Sequence, residues 1–268
     1  MKRYIKTIFI IATVLSMLIS CKKDDTLRYG NVTMGNLVDG KFISDQGNVF
    51  NFAEMLVSTD LEKFRRGIMQ CDVLREVGEN EYDVRVTYLD TVFTKAPVKA
   101  SIAAEDPEKV VEDPIHIEQL WVSGGYVNMY IAFQVQIFPA LKESKHMINL
   151  VLDDSSEKPG EYVFTLRHNA FGETVTQPDN KTEEEEGEVS TSSNPISWGL
   201  AGSYVSFPIA DLIGEDNATV KFKWLSHVIT GNFWSSATEQ RSHSVSYSKD
   251  YFEHAPLNIK SRSVVRVR

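Results

Sequence analysis

Cysteine is nearly absent from this chain: its 268 residues hold two, Cys21 and Cys71. Two thiols form neither a disulfide framework nor a four-thiolate metal site. Basic charge is also short, with 28 Lys+Arg against 37 Asp+Glu. A protein of that balance is repelled by phosphate backbones, so nucleic acid is not an expected partner. Histidine occurs six times, at His116, His146, His168, His227, His243 and His254, and no two are four residues apart as a helical zinc pair requires. Gly-x-Ser-x-Gly, Gly-x-x-x-x-Gly-Lys-Ser/Thr and His-Glu-x-x-His are all missing. No cofactor, metal or catalytic residue is therefore assigned. Sustained helical periodicity is missing too, which leaves strands and turns.

What is present begins at the N-terminus. Lys2, Arg3 and Lys6 precede a mostly apolar run from Thr7 to Ser20. A membrane span needs roughly 20 apolar residues, and this run is shorter and ends in a small residue. It closes on Leu18-Ile19-Ser20-Cys21, which resembles a bacterial lipobox. The lipobox implies that residues 1–20 are a signal peptide, cut before a Cys21 that carries lipid; an uncut anchor is the alternative. Each buried methylene contributes about 0.8 kcal/mol, so two or three acyl chains hold stably where one does not. Membrane contact is thus expected through lipid on Cys21. Without the leader the chain carries 25 basic and 37 acidic residues, net −12. Cys71 is then left alone, in Gly67-Ile68-Met69-Gln70-Cys71-Asp72-Val73-Leu74, and reads as buried and structural.

Residues 21–30 read as a polar tether. From Asn31 the pattern is β. Asp39 to Ser44 and Val49 to Phe52 flank a turn at Asp45-Gln46-Gly47-Asn48. Thr59 to Phe64 gives the best local helix signal, with Thr59 as cap and Glu62 three residues on. Ile68 to Val77 and Tyr82 to Phe93 read as strands, the second alternating with Tyr82, Val84, Val86 and Tyr88 on one face. Acidic, proline-bearing residues 101–114 read as a linker. Beyond it, Ile115 to Val122 and Tyr126 to Phe138 flank Ser123-Gly124-Gly125, and strands follow at Met147 to Leu152, Glu161 to His168, Ser203 to Pro208 and Thr219 to Leu225. The predicted fold is all-β, with one compact β unit over 31–104 and a sandwich or barrel over 113–268.

Candidate chemistry is thin. Glu183 to Glu186 reads as a solvated loop, since a calcium loop needs turn-forming glycines at fixed spacing. His116 and Glu118 sit two apart on one strand, and Arg167-His168-Asn169 reads as a turn with satisfied hydrogen bonds. Trp121, Tyr126, Tyr130, Trp198, Trp224 and Trp234 are the aromatics available for a sugar platform. Aromatics of a sandwich are more often core; Trp234, in Gly231 to Ser236, is the one expected in a loop and exposed as a ligand contact. Two carboxylates converging only in the fold would make a hydrolase.

Several segments together resemble the NigD-like lipoproteins of Bacteroides-type bacteria: Asp39 to Asn48, Cys71 to Leu74, Asp113 to Glu118, Ser123 to Tyr130, Leu166 to Asn169 and Tyr204 to Pro208. The resemblance implies an N-terminal OB-like barrel and a C-terminal β sandwich. Lys22-Lys23-Asp24-Asp25 resembles the export signal that sends lipoproteins of such bacteria to the outer face of the outer membrane, the periplasmic face being the alternative. Asp25-Thr26-Leu27 resembles their O-glycosylation signal, which marks Thr26; Asp90-Thr91-Val92 is a second match. The expected function is a non-catalytic surface lipoprotein that binds a glycan or an envelope protein. A hydrolase and a bacteriocin-associated immunity factor are the alternatives.

Overall fold

The computed structural model describes residues 27–138, 145–155, 158–173, 197–230 and 233–249. The chain is all-β. Five strands close a small barrel: β1 (Leu27–Val38), β2 (Lys41–Ser44), β3 (Val49–Met55), β4 (Arg66–Gly78) and β5 (Glu81–Thr91). Their order is β1-β2-β3-β5-β4, with β4 returning to β1, and β3 and β5 parallel. That is the OB arrangement. Alternation fills it: Phe42, Phe50, Phe64, Met69, Tyr82, Val84 and Val86 form its core. Each such side chain contributes roughly 1.5–3 kcal/mol on burial. Cys71 belongs to this core as expected, and burial pushes its thiol up to about 12.

Three local expectations are corrected. Strand β1 begins at Leu27, paired with Val73, so the chain enters the barrel before Asn31 and the last residues of the 21–30 stretch are strand. A closed barrel gives β1 hydrogen-bond partners on both sides, which outweighs its glycines and asparagines. Thr59 to Phe64 is a turn rather than a helix: Asp60 Oδ1 accepts from the Glu62 N–H at 3.2 Å, and Thr59 donates to the Leu89 carbonyl. Tyr88 does not share the inward face of Val86. The register slips between Gln70 and Cys71, which leaves Thr87 as an extra residue. This bulge turns Leu89 inward and leaves Tyr88 43% exposed.

The barrel ends at Thr91, before residue 104. The next two short strands, β6 (Phe93–Thr94) and β7 (Val98–Lys99), hydrogen-bond to the sandwich, one to each sheet. The expected 101–114 linker holds a short helix, α1 (Ala100–Ala103), and a 3-10 turn at Pro107–Lys109. The remaining strands are β8 (His116–Ser123), β9 (Tyr126–Phe138), β10 (Met147–Leu152), β11 (Glu161–Asn169), β12 (Ser197–Pro208), β13 (Asn217–Thr230) and β14 (Phe233–Ser248). They form sheets ordered β6-β12-β9-β8 and β14-β13-β11-β10-β7. Ile131, Met129, Phe207, Leu150, Phe164 and Phe222 meet between them. The β8–β9 hairpin turns where expected: Gly124 and Gly125 take φ of +57° and +80°.

Barrel and sandwich are joined by a buried polar lock. Arg66, at the start of β4, grips Asp45 with two 2.8 Å hydrogen bonds, both side chains 2% exposed. Arg66 Nη2 also donates to Asn128 Oδ1 of β9 at 2.8 Å. Ser123 donates to Asp45 at 2.6 Å, Asn128 donates to Ser123, and Ser206 of β12 donates to Asn128. The Tyr126 ring covers the guanidinium at 3.8 Å. Gly124 is required here, because a Cβ on it would come within 2.5 Å of Asp45 Oδ1.

At the other end of β9 a second buried chain ties the two sheets. The Gln136 N–H donates to Glu173 Oε1 at 2.5 Å, and Glu173 Oε2 lies 3.4 Å from His146 Nε2. His146 Nδ1 is 2.9 Å from His168 Nε2, and His168 Nδ1 is 3.2 Å from the Pro114 carbonyl. A carbonyl only accepts, so His168 carries its proton on Nδ1 and accepts from His146. Burial, reinforced by His146, holds His168 down to about 4.

Two outcomes are expected. Asp45→Ala leaves Arg66 buried without its carboxylate and lowers unfolding free energy by roughly 3–5 kcal/mol in urea titration; a loss below about 1 kcal/mol would refute the lock. His168 is neutral when folded and protonates more readily when unfolded. Its contribution is complete above about pH 6.5 and is lost as pH falls toward 4, up to about 3 kcal/mol. Urea titrations at pH 7 and 4.5 should show that loss in the parent and a smaller one in His168→Gln.

Candidate functional site

The outer face of the β6-β12-β9-β8 sheet begins under the barrel and runs out into solvent. Its covered part is the lock. Its open part carries Tyr130 on β9 and Tyr204 on β12, which are direct cross-strand partners. Their ring centroids are 4.7 Å apart. Trp121, from β8, meets Tyr204 edge-on at 6.4 Å and 77°. The next pair outward is Ala132 with Gly202. Any side chain at Gly202 would collide with the Tyr130 hydroxyl. Tyr130 therefore leans over β12 instead of standing off the sheet, and the small pair makes room for it.

The barrel supplies the facing wall. Met34 and Ile68 of the barrel, with Val92 just beyond its last strand, pack with Trp121 and Tyr204 into a small apolar cluster at the junction. Beside it lies a pocket of about 180 Å³ lined by Thr33, Gln46, Ile68, Gln119, Trp121 and Tyr204, among others. Thr33 donates to Gln46 Oε1 at 3.3 Å. Burial, with Tyr130 next, raises the Tyr204 phenol, and burial followed by Asp90 raises that of Tyr88. Both tyrosines stay neutral at physiological pH. A half-buried run of neutral aromatic rings beside hydroxyl and amide groups can stack on apolar faces of a ligand and hydrogen-bond its edges.

Of the aromatics named from sequence, Trp121 and Tyr130 meet on this platform. Tyr126 is taken up by the lock, and Trp224 is 7% exposed in the sandwich core. Residue 234 belongs to the strand β14, paired with Ile229, and not to a loop. Its side chain, like that of Trp198, lies outside the described residues, as do Cys21, Lys22, Lys23, Asp24, Asp25, Thr26 and Glu183 to Glu186. Tyr204, Tyr88 and Gly202 were missed. Their signal was the inward-outward alternation of β12 and the bulge at Thr87, which shows only when strands are paired.

The other candidates support less chemistry. His116 and Glu118 do not share a face cleanly, because β8 slips register between Ile117 and Gln119. Arg167-His168-Asn169 closes strand β11 and is not the turn expected; Arg167 pairs with Glu112, and Asn169 donates to the Glu108 carbonyl. A cleft near Asp153, Asp154, Glu161 and Glu215 gathers carboxylates. Hydrogen bonds from Ser155 and Ser101 hold Asp153 and Asp154 below the usual carboxylate range, the opposite of what a general acid needs. No group of three or more His, Cys, Asp or Glu poised for a metal occurs among the described residues.

Residues 97–183 match the family described as the NigD-like C-terminal beta sandwich domain. A protein of unknown function from Bacteroides vulgatus has a similar structure, with a TM-score of 0.54 at 17% identity over 81% of this chain and 91% of that one. A NigD-like immunity protein from Bacteroides caccae gives 0.53 at 18%, covering 81% and 94%. A candidate lipoprotein from Bacteroides fragilis gives 0.53 at 11%, covering 81% and 97%. None of the curated proteins matches the chain. These findings agree with the resemblance read from the sequence: residues 97–183 are similar to the NigD-like C-terminal beta sandwich domain, and they follow a barrel of OB-like strand order.

Proposed function

We propose that the chain is a lipid-anchored lipoprotein of the outer membrane, displayed on the cell exterior, that binds a glycan at the junction of barrel and sandwich. The observation that carries the binding role is the Trp121–Tyr204–Tyr130 platform beside an uncharged pocket. Stacked aromatics offer flat apolar faces, and sugars present matching C–H faces with hydroxyls at their edges. The anchor rests on Leu18-Ile19-Ser20-Cys21, and the outward address on Lys22 to Asp25. Similarity to the candidate lipoprotein supports the same reading. Stacking faces beside hydroxyl and amide groups suit binding, which is the role proposed.

An immunity or accessory role at the envelope is the second reading, favoured by similarity to the NigD-like immunity protein. In that case the platform meets a protein, and deletion of the gene raises sensitivity to toxins of sibling strains.

Two measurements test the proposal. Trp121→Ala should weaken glycan binding roughly tenfold or more in calorimetry, about 1.4 kcal/mol, with melting little changed; a glycan array blank for the parent protein would sink the reading. Cells fed labelled palmitate should incorporate it into the parent protein and not into Cys21→Ser, and equal labelling of the two would refute lipid anchoring at Cys21.

A further inference from the structure

The junction pocket has an unusual chemical feature for this chain. Its lining, which includes Thr33, Gln46, Gln119 and Ser123 beside apolar and aromatic residues, contains no charged side chain, although the chain without its leader carries net −12. Two acidic groups bear on the platform and its neighbour Tyr88 from outside the pocket. Glu118 is close enough to help raise the Tyr204 phenol, and Asp90 accepts from the Tyr88 hydroxyl at 3.3 Å. The cation beneath, Arg66, already holds Asp45 bidentately and bonds Asn128. An anionic ligand would leave water to face carboxylates, and among the described residues that line the pocket there is no cation to receive it, which is costly. A neutral polyol meets no such barrier.

Size and composition add to this. A volume of about 180 Å³ is smaller than sites that enclose drug-sized molecules, which run from about 300 Å³. It suits a single ring, while neighbouring rings lie over Tyr204 and Tyr130, whose centroids are 4.7 Å apart. The pocket is also composite. Thr33, Gln46 and Ile68 come from the barrel, whereas Gln119, Trp121 and Tyr204 come from the sandwich. The Thr33 hydroxyl donates to the Gln46 carboxamide oxygen, which leaves the Gln46 NH2 as the group offered to a ligand hydroxyl.

We infer that the site selects a neutral glycan over an acidic one, with one uncharged sugar ring held in the junction pocket and read by Gln46 from the barrel side. This rests on the glycan-binding reading above. The experiment is calorimetry on the mature chain, with the lipid omitted, against two sets of oligosaccharides matched in length. One set is neutral: gluco-, manno- and xylo-oligosaccharides. The other is acidic: oligogalacturonates and sulfated oligosaccharides. The expected result is binding within the neutral set at least tenfold tighter than anything in the acidic set. Gln46→Ala should weaken that binding at least fivefold with an unchanged circular dichroism spectrum and melting temperature. Gln46→Lys should narrow the preference by improving acidic ligands. If neither set binds, the glycan reading itself fails. If acidic sugars bind as well as neutral ones, or if both Gln46 variants bind as the parent does, the glycan reading survives and this inference is overturned.

Discussion

The buried ion pair between Arg66 and Asp45 is the constraint on which the rest of the arrangement depends. Hydrophobic contact between barrel and sandwich is non-directional and tolerates sliding. The charge-assisted hydrogen bonds that this pair extends to the sandwich, from Arg66 to Asn128 and from Ser123 to Asp45, do not, because the bidentate pair holds both barrel partners at fixed angles. Burying two charges is costly unless every remaining lone pair and donor near them is matched. Here Ser123, Asn128 and Ser206 supply much of that matching from the sandwich, while Arg66 and Asp45 come from the barrel. The lock is complete only when the two parts meet in one register. That register sets Met34 and Ile68 against Trp121 and Tyr204, and so creates the pocket.

Strand β9 shows how far this constraint reaches. Asn128 belongs to the lock, Tyr130 to the platform, and Phe133 and Gln136 to the histidine chain. Even-numbered side chains leave for the outer face and odd-numbered ones, such as Met129 and Ile131, for the core. One register slip would carry Asn128 and Tyr130 inward together. Two short alternations on facing strands therefore build both the adhesive and the receptive part of one surface.

Much of the fold was legible in the sequence because its signals are local. The Gly124-Gly125 turn, the Gly47 turn and the alternation of Tyr82, Val84 and Val86 each depend on residues near one another. Strand β1 was read late because Gly30, Asn31, Gly35 and Asn36 are poor strand formers, and closure of the barrel supplies what their propensity lacks. Tyr88 was misplaced because a bulge depends on the partner strand. Trp121 and Tyr130 were named as candidates, but their meeting with Tyr204 joins strands far apart in the chain. Gly202 carries no message until Tyr130 is seen lying over it.

The position of the site follows from what the barrel gives up. OB folds commonly bind ligands through the β1–β2 and β4–β5 loops. In this chain those loops are tight turns, Asp39-Gly40 between β1 and β2 and Glu79-Asn80 between β4 and β5, with Asp39, Gly40 and Asn80 at positive φ. So short a turn has no reach over a ligand. The longer β2–β3 turn, which contains Asp45 and Gln46, faces the sandwich instead. Asp45 docks the barrel, and Gln46, its neighbour, is left at the mouth of the pocket. Docking and lining are thus adjacent positions of one turn, and the barrel acts as one wall of a site it does not form alone. Similarity of fold at 17–18% identity cannot convey that arrangement. It resides in side chains grafted onto the fold: Gln46, Trp121, Tyr130 and Tyr204.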